Sequence, residues 1–68
     1  MKKRELFNKK EIEILKLISA GYASPEIGDK LKYTCGTIDN YVKDMLLKTN
    51  TVNRAHLVYE CVKQGIIS

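Results

Sequence analysis

Three features of this 68-residue sequence predict an all-α domain of four short helices. Apolar residues recur at spacings of three and four in four separate segments, and residues that start or stop helices stand between those segments. The chain is also too short for more than one domain, so a minimal fold with a limited core is expected. The periodicity places the helices at about 9–20, 25–32, 35–49 and 54–64.

The first helix has a complete start signal. Asn8 is a good N-cap, Glu11 three residues on completes a capping box, and Phe7 and Ile12 are spaced for a hydrophobic staple. Ile12, Ile14, Leu15, Leu17 and Ile18 give it a broad apolar face, and Gly21 supplies the positive φ that ends it. Ser24 followed by Pro25 reads as the N-cap and first position of the second helix, with Glu26 at the positive end of its dipole. Its apolar residues are Ile27 and Leu31. Gly28 between them costs about 1 kcal/mol against alanine in a helix interior, which asks for close approach of another helix.

Lys32, Tyr33 and Thr34 leave only a tight turn before the third helix. Two short helices joined in this way make a helix-turn-helix. In the third helix Ile38, Tyr41, Val42, Met45 and Leu46 form the apolar face, while Asp39, Asn40 and Lys43 fall outside it. Thr34 is its N-cap, Thr37 adds a second hydroxyl in the first turn, and Asn50 is suited to the left-handed residue at its end. A polar-faced helix of this kind fits the major groove of DNA. Thr51 or Asn53 can cap the fourth helix, whose apolar side is Leu57, Val58, Cys61 and Val62, closed by Gly65 and an Ile66-Ile67 pair. That stripe is expected to be partly core and partly a dimer face.

Twelve Lys and Arg against eight Asp and Glu leave a net charge of +4, compatible with a polyanionic partner. The two cysteines and single histidine lack the spacing of a zinc site, and no paired acids, nucleophile with a base, or phosphate-cradling glycine loop is present. No cofactor, small-molecule ligand or enzymatic activity is expected. No segment resembles a signal peptide or the roughly 20 apolar residues of a membrane span, so the chain reads as cytoplasmic with reduced thiols. Residues 1–6, with Lys2, Lys3 and Arg4, read as a basic tail that is either solvated or laid along phosphates, and 7–68 as the domain. Cys35, at the first turn of the third helix, is exposed to oxidation or is simply a small residue there.

In order along the chain, Phe7, Glu11, Glu13-Ile14-Leu15, Leu17-Ile18, Gly21-Tyr22, Glu26-Ile27, Leu31, Thr34, Thr37-Ile38, Asn40, Val42, Leu46, Lys48, Asn53-Arg54, Val58 and Gly65 resemble the LuxR/GerE-type helix-turn-helix domain of bacterial transcription regulators. The resemblance runs from Phe7 onward. It implies a sequence-specific DNA-binding domain whose third helix enters the major groove and whose fourth assembles a homodimer. It puts Asp39, Asn40 and Lys43 against the bases and Thr34, Thr37, Lys48, Asn53 and Arg54 near the backbone; Lys32 joins these as part of the basic set.

The chain departs from the family at informative places. Asp39 stands where a Lys or Arg is usual, Cys35-Gly36 where Glu-Lys is typical, Tyr41 for a frequent histidine, Leu47 for a frequent basic residue and Thr49-Asn50 for Leu-Gly. A carboxylate accepts from a cytosine amino group but is repelled by guanine acceptors and phosphates, so the family's usual sequence preference is not expected here. The alternative the residues leave open is a protein-interaction module that antagonises another regulator. The basic set Lys32, Lys43, Lys48 and Arg54 separates the two readings, because it should frame one face if DNA is the target and is expendable otherwise. The sequence fits either a stand-alone regulator or the output domain of a longer one.

Overall fold

The computed structural model describes residues 7–67; residues 1–6, read above as the basic tail, and Ser68 lie outside them. The described residues form four α-helices: α1 (Lys9–Ser19), α2 (Ser24–Leu31), α3 (Cys35–Thr49) and α4 (Arg54–Lys63). Each boundary has a local cause. The Asn8 side chain accepts from the Glu11 N–H at 2.9 Å, and Glu11 Oε1 accepts from the Asn8 N–H at 3.0 Å, so the capping box is complete. Gly21 ends α1 at φ +98°, and Asn50 ends α3 in the left-handed region at φ 56°. Asn53 rather than Thr51 caps α4, accepting from the His56 N–H at 2.8 Å.

Helix α2 begins one residue earlier than the Ser-Pro signal suggests. Its N-cap is Ala23, whose N–H donates to Glu26 Oε1 at 2.9 Å. Ser24 is therefore already helical and buried, and its hydroxyl serves other partners.

The core lies where the four inner faces meet. Ile14 and Leu15 from α1, Ile27 from α2, Ile38 and Met45 from α3, and Leu57 and Cys61 from α4 are fully buried. Phe7 closes the core before α1, and Ile66 and Ile67 close it after α4. Each large aliphatic side chain so buried is worth about 1.5–3 kcal/mol, which is how so small a chain holds four helices together.

The α2–α3 turn sets the angle of α3. Lys32 adopts φ 65°, and the Tyr33 N–H returns to the Gly28 carbonyl at 2.8 Å. A Cβ on Gly28 would lie 2.5 Å from the Tyr33 carbonyl oxygen. The glycine is there for the backbone of the turn, not for a neighbouring helix as the sequence suggested. Folding the turn back this tightly packs α3 against α2 with one face inward and the other exposed.

Candidate nucleic-acid interface

The interface is the outer face of α3 and what borders it. Thr34 Oγ1 accepts from the Thr37 N–H at 3.2 Å and shares a 2.9 Å hydrogen bond with Thr37 Oγ1, fixing the first turn. Ile38, Val42 and Met45 point inward and are buried, while Asp39, Asn40 and Lys43 are exposed along the opposite side. The helix therefore shows solvent a continuous polar strip with a rigid apolar backing. Lys32 and Thr34 stand exposed at its N-terminal border, and Thr37 is half-buried.

Asp39 is more than a member of that strip. Its Oδ1 accepts from Ser24 Oγ at 2.7 Å and from Arg54 Nη2 at 2.8 Å, while Arg54 Nη2 also donates to Ser24 Oγ. Three helices meet at this cluster: Ser24 opens α2, Asp39 lies in the second turn of α3 and Arg54 opens α4. Cys35 Sγ lies 3.9 Å from the other oxygen, Oδ2. The Ser24 hydrogen bond first, and then the charge and hydrogen bond of Arg54, hold the Asp39 carboxyl below its ordinary value of 3.8 against the opposing effect of burial. Asp39 is ionised at neutral pH and acts only as an acceptor.

Lys48, expected at the sugar-phosphate backbone, has a different partner. Its ammonium donates to both carboxylate oxygens of Glu11, at 2.7 and 2.8 Å, and lies 5.1 Å from the centre of the Phe7 ring. Glu11 is buried, and Lys48 supplies the cation that compensates its charge beside the Asn8 N–H. The lysine is a tie between α3 and α1. Of the four basic residues singled out, Lys48 and Arg54 are thus engaged within the fold, whereas Lys32 and Lys43 are exposed and, among the described residues, make no salt bridge.

The four residues assigned to the dimer face divide between the two sides of α4. Leu57 and Cys61 are 0% and 1% exposed and belong to the core, so they have no surface to offer a partner. Burial pushes the Cys61 thiol up from its ordinary value, with the neighbouring Glu60 charge adding to the effect, as expected of a small apolar core residue. Val58 is half-buried and Val62 is exposed. Tyr59, which the apolar stripe omitted, is 61% exposed and joins Val62 at a spacing of three. That spacing was the available signal for it. No comparable local signal announced Ser24 as a partner of Asp39 and Arg54.

Comparisons with known proteins identify the family. A family model described as bacterial regulatory proteins, luxR family, matches residues 5–61. The transcriptional regulatory protein DegU of Brevibacillus brevis is 33% identical over 60 residues, 88% of this chain and 25% of that protein. The oxygen regulatory protein NreC of Staphylococcus carnosus is 31% identical over 62 residues, 91% of this chain and 29% of that protein. The chain thus spans between a quarter and a third of the length of these relatives. With the match running from before α1 into α4, the chain belongs to the luxR family of bacterial regulatory proteins.

Proposed function

We propose that this chain is the DNA-binding module of a transcription regulator, docking α3 in the major groove of double-stranded DNA. The observation that carries the reading is the division of α3. Its inner face is locked into the core by Ile38, Val42 and Met45, and its outer face offers Asp39, Asn40 and Lys43 on a rigid support. Asparagine matches adenine in a bidentate pair and lysine matches guanine acceptors, each worth about 1–3 kcal/mol of discrimination. Lys32, Thr34, Thr37, Asn53 and Arg54 border the strip as phosphate contacts. Lys48 drops out of that set because its ammonium is held by both oxygens of Glu11, whereas Arg54 is held through Nη2 and has its other guanidinium N–H groups to offer a phosphate.

A homodimer through α4 completes the reading, because helix-turn-helix proteins bind paired half-sites with two-fold symmetry. Val58, Tyr59 and Val62 supply its apolar surface. The test is selection from a randomised duplex pool at two salt concentrations. The expected result is enrichment of a two-fold-symmetric site, with affinity falling as salt rises at a slope near −0.9 per neutralised phosphate.

A protein-interaction module is the second reading. What favours it is that Arg54 and Lys48 are both engaged within the fold, while Leu47 and Val52 leave apolar side chains exposed. Failure to retain any duplex at low salt would select it.

A further inference from the structure

We propose that Asp39, clamped by Ser24 and Arg54, determines specificity by accepting a hydrogen bond from a cytosine amino group in the major groove. The inference rests on the DNA-binding reading above and adds the base that one position of the site must carry.

The two oxygens of Asp39 differ. Oδ1 is satisfied from two sides, by the Ser24 hydroxyl at 2.7 Å and the Arg54 guanidinium at 2.8 Å, each anchored on a helix other than α3. Oδ2 has only the weak thiol donor of Cys35 at 3.9 Å, and the side chain as a whole is 55% exposed. The clamp therefore holds the carboxylate in one orientation while leaving Oδ2 with room for a strong donor. An acceptor ordered before binding loses little freedom when it docks, so its hydrogen bond is expressed in affinity instead of being spent on ordering.

The chemistry of the groove then narrows the partner. Guanine presents N7 and O6, and thymine presents O4, all acceptors that repel a carboxylate. Adenine presents its amino group beside the N7 acceptor, which a group without donors cannot satisfy. Cytosine presents its N4 amino group with no acceptor on the same base edge. Arg54 makes the approach feasible, because a cation 2.8 Å from Oδ1 offsets the repulsion between a carboxylate and the phosphates on either side. Arg54 and Ser24 are positioning residues in this scheme, and Asp39 touches the base.

The experiment is selection from a randomised duplex pool with the wild-type chain, followed by the same selection with Asp39→Asn and Ser24→Ala, each checked for folding by circular dichroism. The wild type should enrich cytosine at one position of each half-site, with roughly a tenfold loss of affinity when that base is changed. Asp39→Asn, which gains a donor beside its acceptor, should move that position to adenine and leave the others as they were. Ser24→Ala should lower the ratio of affinity for cytosine over other bases at that position, a ratio that uniform loosening of the fold would not change selectively. An enriched wild-type site with no preferred cytosine, or a preference that survives unchanged in folded Asp39→Asn, overturns the assignment to Asp39 and leaves the DNA-binding reading standing. A wild type that retains no duplex overturns both.

Discussion

The two ends of α3 are each tied to the rest of the chain by an ion pair, and the pairs are of opposite character. Near the C-terminal end, Lys48 meets Glu11 with side chains 32% and 7% exposed. Near the N-terminal end, Asp39 meets Arg54 with side chains 55% and 37% exposed. Removing one partner of a buried pair leaves a charge that neither water nor protein satisfies, whereas an exposed pair exchanges one set of favourable contacts for hydration. The same helix is thus fixed at one end by a contact that matters for stability and dressed at the other by one that matters for what the helix presents. Reversing the usual basic residue at position 39 alters the presenting end and leaves the fixing end alone.

The largest expected effects fall at the C-terminal end. Glu11→Ala removes the partner of Lys48 together with half of the capping box of α1, and should cost about 3 kcal/mol, or roughly 15 °C in melting temperature for a domain of this size. Lys48→Met leaves Glu11 buried without its cation and should cost about 2 kcal/mol. The loss should change little between low and high salt, because a buried pair is weakly screened. Binding provides the converse check. Lys32→Met should make the salt slope shallower by about one unit, and Lys48→Met should leave the slope as it is. A slope that also falls in Lys48→Met would mean that the lysine leaves Glu11 for a phosphate on binding, and the contrast between the two ends would fail.

The pairs also show which features a sequence can disclose. Caps are local: Asn8 serves Glu11, Thr34 serves Thr37 and Asn53 serves His56, each three residues away, so residue type and spacing announce them. The ties of α3 are not local. Lys48 and Glu11 are 37 positions apart, and Asp39 is 15 positions from both Ser24 and Arg54. Nothing in the pattern around Lys48 distinguishes a lysine waiting for phosphate from one that folds back on a glutamate. At Ser24 the Ser-Pro pair is a sound cap signal, but the register shifts by one because Ala23 takes the cap. On α4 the periodicity marked an apolar stripe, but a ten-residue helix on so small a core cannot bury all of it. Leu57 and Cys61 went in, and Val58 and Val62 stayed partly or wholly out.

An intermediate effect tests whether the N-terminal end depends on its turn. Gly28→Ala gains about 1 kcal/mol of helix propensity, but its Cβ would press on the Tyr33 carbonyl, a backbone atom with little freedom to retreat. Overpacking of this kind costs about 1–3 kcal/mol, so a net loss near 1 kcal/mol is expected. The turn aims α3, so binding to a selected site should weaken more than binding to nonspecific duplex. Equal weakening of both would show that the aim of α3 survives the change and that the turn affects stability alone.

The smallest effect concerns acid. Because the folded-state pKa of Asp39 lies below its ordinary value of 3.8, its charged interactions add stability above that value, and the contribution is lost as the pH falls through the lower, folded value. Asp39→Asn keeps the shape and removes the titration. The wild type should therefore melt slightly above the variant at pH 7, and the gap should close as the pH falls below about 4. Because both partners of the pair are substantially exposed, the gap at pH 7 should also shrink in high salt, unlike that of Lys48→Met. A gap that persists through acid and through salt would mean that uncharged hydrogen bonding by the Asp39 carboxyl, and not its charge, supports the fold at this end. The clamp on Asp39 would then be a fixing contact like that of Lys48, and the division between a fixing end and a presenting end of α3 would have to be redrawn.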